Sequence, residues 1–349
     1  IDGGVDQMTA AILVTGAGGV GKTTVSAAIG VAAARRGLET LVLTVDPARR
    51  LAGALGLAEL GAEPSKVEEE PLLWAAMLDA SSSWEAIARR HADPAVTDRL
   101  INNDLFEAAT GQFPASQSYA AAEEATRFVR KGQWDLVVVD TPPSAGGIEF
   151  FTAPANMTDL IGGRLLRWLT GGKLPGRRFF FDRAARPAIR IADAVLGAGL
   201  FERVAQFLMD LRTTYDGIAA SSAEIDRTLA TAQTLVVTTA DPTPMREAIR
   251  FFRDLPTNAQ HPTSVIFNRS LPIAWVDASG QADDSELAAN LARWSTESAR
   301  QHRLRRQFSD RYSTEVTTID WKPTAPTDLD SLESLLTTAG GYSLENLWS

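Results

Sequence analysis

Residues 11 to 37 carry an apolar run, a glycine-rich turn and a small-residue helical pattern in immediate succession, and that order constrains the fold more than any other stretch. Ala11, Ile12, Leu13 and Val14 read as a buried strand. Thr24 to Arg36 read as an alanine-rich helix that begins near Lys22 and stops at Gly37. Between them stands Gly16-Ala17-Gly18-Gly19-Val20-Gly21-Lys22-Thr23-Thr24, which fits G-x-x-x-x-G-K-[ST] at every position. Its four glycines let the backbone turn tightly enough to aim successive N–H groups at one anion, and the positive end of the helix dipole adds to the attraction. The pattern predicts a phosphate cradle formed by Gly18, Gly19, Val20, Gly21, Lys22, Thr23 and Thr24. Lys22 reaches the β and γ phosphates as a catalytic cation, and the Thr23 hydroxyl ligates Mg²⁺. The alternative, a glycine-rich turn with no ligand, leaves unexplained why strand, loop and helix fall where the motif requires them.

Further apolar runs near 40–45, 135–140, 234–239, 263–267 and 315–320 alternate with helical patterns, and another strand is expected at Leu73 to Met77, followed by Ser81 to Ser83 as a helix cap. This alternation predicts an α/β fold with a doubly wound, mostly parallel sheet, a P-loop nucleotide-hydrolase core at residues 9–81, 131–150 and 230–338. Two long insertions without strand character, 82–130 and 151–229, predict an inserted α-helical subdomain. Within it Leu200, Val204, Phe207, Leu208 and Leu211 share a helical face, read first as the subdomain's own core. The cations Arg164, Arg167, Lys173, Arg177, Arg178, Arg183 and Arg186 read first as a solvated face, with an acidic partner or anionic lipid as the alternative.

Three more segments extend the pattern: Thr44-Val45-Asp46-Pro47-Ala48, Asp135-Leu136-Val137-Val138-Val139-Asp140-Thr141-Pro142-Pro143-Ser144, and Ser264-Val265-Ile266-Phe267-Asn268-Arg269. Together with the first loop they resemble the deviant Walker A ATPases, the family that includes the arsenite-pump ATPase ArsA and the tail-anchored-protein targeting ATPase. The likeness extends to the signature-lysine-lacking member of the paired actinobacterial ArsA-like ATPases. It implies that Asp46 lies in the first switch as catalytic base and metal-site residue, that Asp140 ends the Walker B strand and holds Mg²⁺ through water, that Asn268 reads the adenine edge, and that Pro323 packs on the base. A carboxylate beyond the carboxyl end of a parallel strand suits a base that polarises water, while an Asx turn before Pro47 is the structural alternative for Asp46.

The resemblance also marks departures. Family loops begin G-K-G-G-x-G-K-[ST], with a first lysine that reaches across a dimer interface, whereas this chain has Ala17 there. Ser144-Ala145-Gly146-Gly147 replaces the family's T-G-H in the second switch. Glu247, in Asp241-Pro242-Thr243-Pro244-Met245-Arg246-Glu247-Ala248, resembles an interface glutamate, or else complements the dipole of a helix's first turn.

Composition narrows the readings. With 45% hydrophobic and 22% charged residues over 349, the chain is globular by composition. It has no cysteine, which excludes disulfides, thiolate metal sites, the arsenite pump's metalloid thiolates and the targeting factor's C-x-x-C zinc site. His91, His261 and His302 stand too far apart in sequence to suggest zinc and read as surface or capping residues. A formal net charge of −9 argues against sequence-independent nucleic-acid binding. No apolar run approaches the roughly 20 residues of a membrane span, so a soluble, cytoplasmic protein is expected. The chain opens at Ile1 without methionine, and residues 340–349 read as an affinity-tag remnant.

The expected function is an ATP-hydrolysing conformational switch, slow alone, using ATP/ADP and Mg²⁺ without zinc, and acting in a heterodimer with a paralogous ATPase subunit that supplies the missing lysine. A homodimer is the alternative assembly. The competing functions are a nucleotide-sensing scaffold with little turnover and a chaperone that carries an apolar helix of a membrane-protein client.

Overall fold

The computed structural model describes residues 9–45, 50–112, 114–142, 148–162, 200–255, 261–277 and 285–337. The elements, in chain order, are β1 (Ala10–Gly16), α1 (Lys22–Arg35), β2 (Thr40–Thr44), α2 (Arg50–Ala54), β3 (Ser65–Lys66), β4 (Leu73–Met77), α3 (Ala80–His91), α4 (Thr97–Ile101), α5 (Asp104–Gln112), α6 (Pro114–Arg130), β5 (Leu136–Asp140), α7 (Ile148–Gly162), α8 (Leu200–Arg212), α9 (Tyr215–Thr231), β6 (Gln233–Thr238), α10 (Pro242–Asp254), β7 (Ser264–Ser270), α11 (Ser285–Tyr312), β8 (Glu315–Asp320) and α12 (Leu329–Thr337).

The sheet runs β3-β4-β2-β5-β1-β6-β7-β8. Every described pair is parallel except β3 with β4. The central strands are continuous buried apolar runs, as a sheet covered on both faces requires. Register matters for function. Val14 and Thr44 both stand opposite Asp140, so β2 and β5 end level while β1 runs two residues further, to Gly16. The two-residue β3 was not expected, since no periodicity can be read from so short a run.

The chain divides into two compact units. The sheet unit comprises Ile1–Leu78, Glu124–Phe151 and Arg227–Ser349, and its core is built around α1. Val25 through Ala34 on α1 are all buried, which a helix of alanine, glycine and β-branched residues permits because it presents little bulk on any side. Gly30 shows how close the packing is, since a Cβ there would stand 2.3 Å from Val42 Cγ2.

The helical unit comprises Asp79–Glu123 and Thr152–Asp226. Its first helix is capped by Asp79, whose Oδ2 accepts the Ser82 N–H at 2.8 Å. The cap expected at Ser81 to Ser83 is therefore one turn too late, because the carboxylate outcompetes the hydroxyls for the same N–H groups. Trp84 stacks on Tyr119 with centroids 5.6 Å apart and donates its Nε1–H to Ser116 O at 3.0 Å. On α8, Phe207 is buried and Val204, Leu208 and Leu211 are half-buried. Leu165, Leu166, Trp168, Leu169, Phe179 to Phe181 and the arginine run from Arg164 to Arg186 lie outside the described residues. None of the described helices is long and apolar enough to cross a membrane.

Candidate functional site

The site begins where β1 ends. Gly16 has φ +146°, and a Cβ there would sit 2.1 Å from Val237 O on the neighbouring strand, so only glycine lets the chain leave the sheet at this point. Ala17 and Val20 are buried and pin the underside of the loop, while Gly18 and Gly19 are exposed. Gly21 has φ +96° and opens α1, and no described side chain caps that helix. The N–H groups and the positive dipole end at such a helix start are the physical basis of anion binding there.

Lys22 is buried to 7% exposure, and its Nζ donates to Ala17 O at 2.9 Å. The next residue, Thr23, donates from Oγ1 to Asp140 Oδ2 at 2.6 Å. Thr44 Oγ1 donates to the same oxygen at 3.1 Å. Asp140 ends β5 and is 1% exposed, so its carboxylate is held by hydroxyls aimed at it from two other elements. A hydroxyl and a carboxylate this close are hard oxygen donors that suit Mg²⁺, which keeps several of its waters and needs few protein ligands.

At the other end of the site, Asn268 Nδ2 donates to Val20 O at 2.8 Å, and Asn268 Oδ1 accepts the Arg269 N–H at 2.9 Å. Arg269 has φ +54° and falls where the pairing of β7 with β8 shifts register. Trp321 N donates to Ser270 O at 2.8 Å, so the loop after β8, which carries the exposed Pro323, leaves the sheet on the same side as Asn268. Burial pushes the Asp320 carboxyl up against the opposing pull of Lys322 and Arg305, and the same burial pushes the Arg305 guanidinium down.

A family model described as anion-transporting ATPase matches residues 9–321, from the start of β1 past the end of β8. The chain belongs to the anion-transporting ATPase family. Similar proteins include an uncharacterized protein of Streptomyces coelicolor, 33% identical over 242 residues that cover 67% of this chain and 55% of the relative. A putative arsenical pump-driving ATPase of Prosthecochloris vibrioformis is 29% identical over 146 residues, or 41% of this chain and 35% of the relative. The ATPase GET3 of Rhodotorula glutinis is 27% identical over 151 residues, or 43% of this chain and 42% of the relative. The chain thus spans between 35% and 55% of the length of these curated relatives.

In this chain the fold brings together Gly18 to Thr24, Asp140 and Asn268 around one loop. Asp46 and Ser144 to Gly147 lie outside the described residues. Glu247 is half-buried in the second turn of α10, beyond reach of a first-turn dipole role. Thr44 was given no role in the sequence, although its hydroxyl meets Asp140. The signal is a threonine on the last residue of a strand, and it acquires meaning only once β2 is known to pair with β5.

His261 is exposed as expected, but the other two histidines differ from expectation. His91 is neither surface nor cap: its Nε2 lies 3.1 Å from Glu123 Oε1 and 3.2 Å from Ser221 Oγ inside the helical unit. His302 is half-buried on α11, and burial together with Arg305 and Arg306 pushes its imidazole below the usual histidine range.

Proposed function

We propose that this chain binds Mg²⁺·ATP in the Gly16–Thr24 loop and hydrolyses it to ADP and phosphate, as one half of a dimer whose paralogous partner contributes the lysine missing at Ala17. The observation that carries the reading is the arrangement around Lys22. One ammonium group lies folded on its own loop at Ala17 O, and Asp140 stands in contact with Thr23. On binding, Lys22 exchanges the Ala17 carbonyl for β- and γ-phosphate oxygens, and the loop N–H groups stabilise charge that develops as water attacks in line. Asp46 orients that water. Thr23 and Asp140 would hold the Mg²⁺, which would supply charge neutralisation on the phosphate oxygens. Asn268 and Pro323 take the base.

A symmetric pair would place Ala17 at both interfaces and leave both γ phosphates without a crossing cation, so a heterodimer is the physical expectation. The test is steady-state ATP turnover as a function of protein concentration, for the wild-type chain and Ala17→Lys. Slow, concentration-independent turnover in the wild type and faster, concentration-dependent turnover in the variant support the proposal. Full, dimer-dependent turnover by the wild-type chain alone sinks it.

A second reading, capture of an apolar client helix by the helical unit, is supported by Leu160 at 64% and Met209 at 44% exposure. Site-specific crosslinking from these two positions tests it, and failure to trap an apolar peptide in any nucleotide state removes it.

A further inference from the structure

Asn268 touches the phosphate loop rather than open space. Three separate features converge on that contact. Strand β7 breaks register between Phe267 and Ser270, and the break is made by Arg269 in a left-handed conformation seldom taken by arginine. This bulge presents the Asn268 amide, which donates to Val20 O at 2.8 Å while its oxygen is steadied by the Arg269 N–H. On the loop side, Gly21 makes room for the amide: a Cβ on Gly21 would lie 2.4 Å from Asn268 Nδ2.

We propose that Asn268 is a positioning residue for the phosphate loop, an amide brace from the β7 bulge that holds Val20 and Gly21 in their ligand-accepting shape before any nucleotide arrives. The proposal rests on reading the loop as a nucleotide cradle, and it adds a role that does not depend on the base. The amide still has one N–H and one oxygen lone pair for a base edge, so bracing and base recognition draw on different valences of the same group. A polyphosphate without a base is therefore expected to sense Asn268 too, through the brace alone.

The test uses the full chain with Asn268→Asp, which keeps the acceptor for Arg269 N–H but turns an acceptor toward Val20 O, alongside Asn268→Ala. Hydrogen exchange is measured first in nucleotide-free protein. Loop amides 18–22 should exchange about tenfold faster in both variants, as loss of one braced hydrogen bond predicts, while those of β1 and β5 keep wild-type rates. Calorimetric titration should then show the Mg²⁺·tripolyphosphate affinity reduced about tenfold and the Mg²⁺·ATP affinity reduced by at least that factor, because the same amide also serves the base. Unchanged loop exchange overturns the brace, and so does a loss confined to ATP. Faster loop exchange in the variants, together with a wild-type chain that binds neither ligand, supports the brace while removing the cradle reading.

Discussion

The two units bury charge for different ends. In the sheet unit the buried polar side chains are mostly hydroxyls, and of its buried charges among the described residues Lys22 and Asp140 converge on one loop while Glu124 and Arg305 lie elsewhere. In the helical unit the buried carboxylates tie helix to helix. Glu123 on α6 takes Arg90 at 2.6 Å and His91 at 3.1 Å from α3, and Asp210 on α8 takes Arg99 of α4 at 2.7 Å. A parallel sheet fixes its own register through backbone hydrogen bonds, so it can reserve side-chain charge for a ligand. Short helices slide past one another unless something specifies their alignment, and a buried ion pair is one such device.

If charge in the sheet unit serves the ligand, then removing it should cost activity far more than stability. Lys22→Ala is expected to lower ATP turnover by about 10³-fold while the melting temperature moves by only a few degrees. A variant that melts much earlier would make Lys22 structural and erase the contrast. The backbone around the loop should be the intolerant part of that unit. Gly16→Ala forces a Cβ against Val237 O and should cost about 3 kcal/mol in urea unfolding. A neutral result would mean that β1 and β6 can separate freely.

The smallest effect lies in the helical unit and is read by acid. The hydrogen bonds from Arg99 and then from Gln206 hold the Asp210 carboxyl below its ordinary value. Since the folded form releases its proton more readily than the unfolded chain, this contribution is complete above about pH 4 and fades as pH falls further. Exchange protection of α4 and α8 should decline on acidification before that of β1 and β5. Arg99→Gln should remove the difference, and equal decline in both units would break the comparison.

The phosphate end of the site could be read from sequence because its demands are local. Left-handed turns at Gly19 and Gly21, the close approach at Gly16 and the adjacent Lys22 and Thr23 all fall within one short stretch. The buried strands were legible for a similar reason, as runs of apolar residues between helical patterns. What escaped depends on residues far apart. Thr44 meets Asp140 across 96 positions, and Asn268 meets Val20 across 248, through a bulge that no periodicity announces. The His91 and Glu123 pair likewise has no local signature, because either residue alone reads as a solvated surface charge.

The strand order has a consequence for synthesis. β1 is made well before β5 and β6, the two strands it pairs with. Thr238, the end of β6, leaves the ribosome on the order of 10 s or more after Gly16 at roughly 5–20 residues per second. Through that interval a nascent chain carries an apolar strand with an unsatisfied edge and a Walker motif that has no floor. Chaperone dependence during translation should therefore concentrate on the segment that carries β1 and its loop, and a truncation that stops short of β6 should aggregate rather than bind nucleotide.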